Sequence, residues 1–487
     1  MRKPVFSLAL LALLALLPRP ALAQVQPHAL FTDGMVLQRG VPCTMWGTSS
    51  PEEKVSYSLD QGTRGTATGN TTADRFGNWK LTTPNLQAGG PYTLTLSGKN
   101  TITLKDVYVG DVWVASGQSN MEWPLSATEN GKEAIANSAN AKIRLFTVPK
   151  KVAAEPQKEI KSAWKECGPA TVGSFSAVAY YFGRDLQKHL DVPIGLINTS
   201  WGGTVAEAWT PRQALAETDK LKELLPKGEI KPGNPNQGTV LYNGMIAPLQ
   251  PFAIKGAIWY QGESNAGNPT RAEEYRTLFP TLIKSWRETW KVQGNEDFPF
   301  LFVQLAPFMK IENQPTDTAW ARLRDAQRYT TRTVPKTAMA VITDVGDEKD
   351  IHPRKKEPVG SRLALAARAL GYGEKIEYSG PVYESMKIEG NKAILTFSHV
   401  GKGLEARNGE LTGFTIAGAD HKFHNARAEI KGDKVVVWAD GVDRPAAVRF
   451  GWANYPVVNL WNKDGLPASP FRTDDWGVGP LARPVSQ

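Results

Sequence analysis

The 487-residue sequence predicts an α/β protein: a parallel sheet with helices on both faces, flanked by two β modules. Three observations carry this. Apolar strand-like runs alternate with helical periodicity over residues 110–375, the pattern of repeated βα units. Short β-type runs broken by Gly, Pro, Asn and Asp fill residues 24–109 and return over 376–487. The length also exceeds one ordinary domain and permits several cores.

Residues 1–23 read as a cleavable secretory signal. Arg2 and Lys3 precede an apolar run from Val5 to Leu17, and Ala21-Leu22-Ala23 stands before Gln24. The run is shorter than the ~20 residues of a spanning helix. No later stretch is long and uncharged enough to span, and no cysteine follows the Ala-Leu-Ala site to take a lipid. A secreted or periplasmic chain beginning near Gln24, with no membrane span after signal removal, is expected.

Residues 24–109 carry the runs Met35–Gln38, Cys43–Trp46, Lys54–Ser58 and Tyr92–Leu96, a spacing that suggests a small β-sandwich-like module. From Asp111 the candidate strands are Val112–Ala115, Ile143–Val148, Ile194–Asn198, Ala257–Tyr260, Phe300–Leu305 and Ala338–Ile342. The clearest helix places Tyr275, Leu278, Phe279, Leu282, Ile283, Trp286 and Trp290 on one face, and Pro280 within it predicts a kink or a split. Further helices are expected at Ser176–Leu190 and at Pro358–Leu370, the latter stopped by Gly371. Residues 376–487 return to short strands at Ala393–Phe397, Gly413–Ile416, Lys434–Trp438 and Ala447–Phe450.

The formal charge is +9. Removing Arg2, Lys3 and Arg19 leaves +6, spread thinly without a Lys/Arg block. A nucleic-acid partner would call for a clustered basic stripe, so none is expected. Cys43 and Cys167 are the only cysteines. Export permits a disulfide between them, but they fall in different modules, and two buried free thiols are at least as favoured.

In an open α/β sheet, ligands bind beyond the carboxyl ends of the strands. Four polar turns stand there: Gln118-Ser119-Asn120, Trp201-Gly202-Gly203-Thr204, Gln261-Gly262-Glu263-Ser264-Asn265, and Asp350 with His352. Ser119 and Ser264 compete as nucleophile, each in a Gly-x-Ser-Asn setting that lacks the last glycine of a Gly-x-Ser-x-Gly elbow. Ser119 is preferred, because Glu263 beside Ser264 would oppose the negative charge developing on an attacked carbonyl.

A serine hydroxyl needs a base in reach. Among six histidines, only His352 follows a central strand. Asp350 is the nearest carboxylate to orient it, with Asp347, Glu348 and Asp344 as alternatives. The backbone of Ser119, an N–H from Gly202 or Gly203, and a side-chain amide from Gln261 or Asn265 are the candidate oxyanion donors. Trp123 and Trp201 offer rings to a sugar, as does Trp209, and Glu263 is a candidate substrate ligand. His421 and His424 form an H-x-x-H without supporting ligands, so no metal site is expected, and no cofactor.

Gly117–Pro124, Ser200–Thr204, Trp259–Asn265 and Asp350–Pro353 resemble the corresponding motifs of the sialate O-acetylesterase family of SGNH hydrolases. Met35–Arg39, Gly110–Trp113 and Gly465–Thr473 extend that resemblance over nearly the whole mature chain. It implies a flavodoxin-like three-layer α/β/α esterase core that removes O-acetyl groups from carbohydrates through an acetyl-serine, without a metal. It also implies Ser119 as nucleophile, His352 as base and Gly202 or Gly203 as oxyanion donor. Two departures from the wider SGNH pattern stand out. Lys349 occupies the usual acid position, three before the histidine, and Gly262-Glu263-Ser264-Asn265 replaces the usual Gly-x-Asn-Asp. The expected substrate is an O-acetylated carbohydrate: an O-acetylated sialic acid first, acetylated xylan or its oligosaccharides second. A silent carbohydrate-binding protein on an esterase fold is the rival from another class.

Overall fold

The computed structural model describes residues 24–477; the expected signal segment 1–23 lies outside them. Its centre is a parallel sheet built from β1 (Thr101–Gly117), β2 (Asn140–Thr147), β3 (Lys165–Cys167), β4 (Ile194–Ser200), β5 (Gly256–Tyr260), β6 (Phe300–Val303) and β7 (Thr337–Ala340). The spatial order is β3-β2-β4-β1-β5-β6-β7. Every neighbouring pair is parallel except the edge pair β3–β2. The chain leaves β1 toward β2 on one side and later returns to β5 on the other, so β1 is the topological switch point, where open α/β sheets place ligands.

The two-residue period of β1 decides which helices cover which face. Val112 and Val114 join the apolar cluster of α2 (Pro269–Trp290) and α3 (Ala319–Thr333). Trp113 and Ala115 join that of α1 (Ala177–Leu190) and α4 (Glu357–Tyr372). Both faces are buried there, which makes the strand apolar at every position from Val112 to Ala115.

Three helices differ from expectation. α2 runs unbroken through Pro280. The proline removes one intrahelical bond, but Tyr275, Leu278, Phe279, Leu282, Ile283, Trp286 and Trp290 are all fully buried, and this packing holds the helix together. α4 passes Gly371 and ends at Gly373, whose φ of +72° suits a left-handed cap. α3 escaped the periodicity because charged and polar residues interrupt its inner face: Arg324, Asp325, Gln327 and Arg328 are buried alongside Trp320, Leu323 and Ala326.

The N-terminal module shares a strand with the core. Thr44–Thr48 pairs with Gln26–Pro27 and Asn78–Thr82 in one small sheet. Lys54–Asp60, Thr66–Thr72 and Gly89–Ser97 form a second, whose last strand pairs with the first half of β1. A boundary at residue 109/110 therefore falls inside a continuous strand.

In the C-terminal module, one sheet runs Val382–Glu389, Lys392–Ser398, Lys434–Trp438, Arg427–Lys431, and the other runs Phe423–Asn425, Phe414–Ala417, Ala447–Phe450, Phe471–Arg472. They enclose one apolar cluster. Buried charge locks this module to the core: Asp325 on α3 meets Arg472 at 2.9 Å, Arg276 at 2.7 Å and Arg328 at 3.1 Å. Cys43 and Cys167 are buried free thiols, each pushed by burial up to about 12.

Candidate active site

The register of three adjacent strands assembles the site. Gly117 at the end of β1 is level with Ser200 at the end of β4 and Tyr260 at the end of β5. Their following turns, 118–122, 201–204 and 261–265, therefore emerge side by side. Gly117 has φ +133°, and a Cβ there would stand 2.1 Å from the Tyr260 carbonyl oxygen. Only glycine lets β1 end this close to β5. The chain then enters the four-residue helix Ser119–Glu122.

Ser119 Oγ lies 2.8 Å from His352 Nε2. The two come from segments 233 residues apart, on the turn after β1 and the loop that precedes α4. The Trp123 ring stacks on the imidazole, with centroids 4.8 Å apart and planes 17° apart, and its Nε1–H donates to the Ala127 carbonyl at 3.3 Å. One face of Trp123 thus holds the base and is not open to a sugar. It is thus Ser119, not Ser264, whose hydroxyl meets the base; the Ser264 backbone N–H donates to Gln118 Oε1.

Of the four carboxylates weighed for the orienting role, only Asp350 reaches His352. Its Oδ1 accepts the backbone N–H of His352 at 2.8 Å and lies 3.6 Å from Nδ1, just beyond a full hydrogen bond. Asp344 is held bidentate by Arg362, Asp347 accepts the N–H groups of Lys349 and Asp350, and Glu348 accepts that of Ile311. Burial lowers the His352 pKa from its ordinary value; the nearby Lys356 cation lowers it further, and Asp350 opposes both. A neutral imidazole able to accept a proton is the result.

The oxyanion side differs from expectation. Gly202 packs against Ser119, since a Cβ on it would stand 3.2 Å from Ser119 Cβ. Its N–H, however, donates to Glu122 Oε2 at 2.6 Å, and Glu122 Oε1 pairs with Lys150 Nζ at 2.5 Å. Gly203 is exposed beside it. Gln261 and Asn265 are fully buried behind the site and serve structure instead. Both Gln261 amide hydrogens are used, on Thr204 O and Asn265 Oδ1, and Asn265 Nδ2 donates to Glu207. The Gly-x-Asn-Asp pattern is absent here, so the signal that would mark an amide donor is absent too.

Glu263 is also not a surface ligand. It is only 8% exposed, and its Oε1 accepts Asn120 Nδ2 at 2.6 Å. Burial raises its pKa. Trp209 is fully buried, and Trp201 is half-buried with the Lys150 ammonium 5.5 Å from its ring centre.

A cavity of about 610 Å³ opens on the Asp350 side of His352, between residues 126–132 and 344–355. Its wall is built: Arg354 Nε donates to the Ala127 carbonyl at 3.1 Å, and the Arg354 carbonyl accepts the Glu129 N–H at 3.0 Å. Among the described residues no group of three or more His, Cys, Asp or Glu is placed to hold a metal, and no helix is long and apolar enough to cross a membrane.

Residues 109–368 match the family model described as "Carbohydrate esterase, sialic acid-specific acetylesterase". The chain belongs to this family. It is similar to sialate O-acetylesterase of Mus musculus, 33% identical over 81% of this chain and 82% of the mouse protein, and to that of Homo sapiens, 31% identical over 90% of each. The crystal structure of a carbohydrate acetylesterase from Xanthomonas citri matches with a TM-score of 0.85 at 44% identity, covering 93% of this chain and all of that one. The chain is thus a sialate O-acetylesterase-like carbohydrate acetylesterase, with the α/β core and flanking β modules of its relatives.

Sequence reasoning missed Asn120, Glu122, Lys150 and Lys356. Lys356 carried one signal. It stands at the N-terminal end of α4, where the helix dipole disfavours a cation.

Proposed function

We propose that this acetylesterase acts through Ser119 and His352 on an O-acetylated acidic sugar of the sialic acid type, outside the cytoplasm. The single observation that carries the assignment is the 2.8 Å contact between Ser119 Oγ and His352 Nε2 at the switch point of the sheet. Ser119 Oγ attacks the acetyl carbonyl carbon while His352 Nε2 takes the hydroxyl proton. The C–O bond to the sugar then breaks, His352 returns the proton to the sugar oxygen, and an acetyl-serine remains. Water repeats the sequence with His352 as base and releases acetate. The Ser119 N–H and the Gly202 N–H, once Glu122 has moved off it, supply donors to the oxyanion.

Because His352 protonates the leaving oxygen, the sugar belongs on the His352 side, where the cavity lies. Arg354 is pinned there by Nε, which leaves its Nη groups for a carboxylate, while Glu129 and Asp347 line the same cavity and would accept from sugar hydroxyls. This arrangement favours an acidic sugar over neutral acetylated xylan. The export reading rests on residues 1–23 of the sequence.

The test is a substrate panel on wild type and Arg354→Gln: an O-acetylated sialic acid, acetylated xylo-oligosaccharide and an aryl acetate. The expected result is a preference for the sialate ester that falls about 10-fold or more in Arg354→Gln through KM, with aryl acetate turnover within about twofold. Preference for the xylo-oligosaccharide, unchanged by the substitution, contradicts the acidic-sugar reading.

A further inference from the structure

Behind Ser119, buried and unused by the mechanism above, lie a lysine and a glutamate joined through one amide. Lys356 is 1% exposed, Asn120 1% and Glu263 8%. Lys356 Nζ donates to Asn120 Oδ1. Asn120 Nδ2 donates to Glu263 Oε1 at 2.6 Å and to the Ile351 carbonyl at 3.0 Å. Asn120 follows Ser119 and Ile351 precedes His352, so this amide joins the two halves of the catalytic pair. The second Glu263 oxygen is buried with no hydrogen-bond partner among the described residues.

We infer that Lys356 is a positioning residue of the esterase site, fixing Asn120 between Ser119 and His352 and placing a buried positive charge beside the base.

The choice of a lysine carries the argument. A fully buried ammonium is costly, and a neutral side chain with one donor would satisfy Asn120 Oδ1 equally well. The charge therefore needs a reason, and its surroundings give one. Lys356 faces Asn120 and Trp123 from the nucleophile turn, Tyr260 and Glu263 from the end of β5, and Asp350 from the preceding loop. His352 faces Ser119 and Trp123 from the nucleophile turn, Asp350 from its own loop and Lys356 from the start of α4. Asp350 and Lys356 thus act on the imidazole with opposite sign. Asp350 favours its protonated form, and Lys356 favours the neutral form that a base requires.

Two properties of the groups agree with this. The Lys356 cation is the second cause, after burial, that lowers His352. Burial, opposed by Glu263 and Asp350, lowers Lys356 itself to about 7, so it is still largely protonated over the lower range in which His352 titrates.

The inference rests on Ser119 and His352 being nucleophile and base, and two readouts keep the failures apart. The first is the pH profile of kcat/KM on an aryl acetate for wild type, Lys356→Gln and Lys356→Met. Glutamine keeps a donor for Asn120 without the charge; methionine keeps neither. In both, the acid limb is expected to move up by about 0.5–1 pH unit, and only Lys356→Met is expected also to lose kcat about 10-fold or more. An acid limb that stays in place in Lys356→Gln overturns the inference, whatever happens to kcat.

The second readout needs neither activity nor a variant that folds. In wild type labelled on its six histidines, the His352 ring resonance is expected to titrate below 6.5 and to show a second, smaller inflection near 7 as Lys356 loses its proton. A single inflection at or above 6.5 overturns the inference. If Ser119 is not the nucleophile, the titration still reports on Lys356, and only the catalytic meaning is lost.

Discussion

The Asn120 side chain donates to the Ile351 carbonyl at 3.0 Å, tying the residue after the candidate nucleophile to the residue before the candidate base. The 2.8 Å separation of Ser119 and His352 is held by that amide as well as by the fold of the sheet. Replacing Asn120 tests this. Asn120→Ala is expected to lower kcat on an aryl acetate about 100-fold, because small misplacements of reacting groups are costly. It also leaves Lys356 and Glu263 without their shared partner, and thermal unfolding should show a loss of about 1–3 kcal/mol.

Glu122 makes a prediction of opposite sign. Its carboxylate sits on the Gly202 N–H, where it both occupies a donor and sets a negative charge beside the forming oxyanion. Glu122→Gln removes the charge and is expected to raise kcat/KM on an aryl acetate about two- to tenfold. A fall of similar size would assign Glu122 instead to holding the 201–204 turn in place.

The weak Asp350 contact leaves burial and Lys356 to set the pH behaviour of His352. The His352 pKa lies below its ordinary value, and the neutral imidazole is the active form, so the acid limb of kcat/KM is expected below pH 6.5. Asp350 raises the His352 pKa, and Asp350→Asn should therefore shift that limb further down. Because Oδ1 is 3.6 Å from Nδ1, the accompanying loss of kcat is expected near 10-fold, well short of the ~10⁴ seen when a buried triad aspartate is replaced. The pH profile of the variant checks both effects.

What was legible in the sequence is what local chemistry writes there. β1, β4 and β5 read as apolar runs because both sheet faces are covered, and the polar turns after them stood out for the same reason. Ser119 and His352 were reachable by elimination among few candidates. The oxyanion side was not, because the use of an amide depends on what surrounds it. Gln261 and Asn265 stand in suggestive positions, yet their hydrogens go to Thr204 and Glu207. Glu263 reads as a candidate substrate ligand, but the flush ends of β1 and β5 bury it against Asn120. α3 was hidden because its inward face mixes Trp320, Leu323 and Ala326 with the charges that hold the C-terminal module, a long-range demand that interrupts the apolar stripe.

The most direct test of the central claim is to quench the reaction with an aryl acetate during turnover and locate the acetyl group by peptide mass spectrometry. The account predicts one acetyl group on Ser119, absent in Ser119→Ala, together with loss of nearly all esterase activity in that variant. An acetyl group on Ser264 or another side chain, or a Ser119→Ala variant that keeps most of its activity, would contradict it.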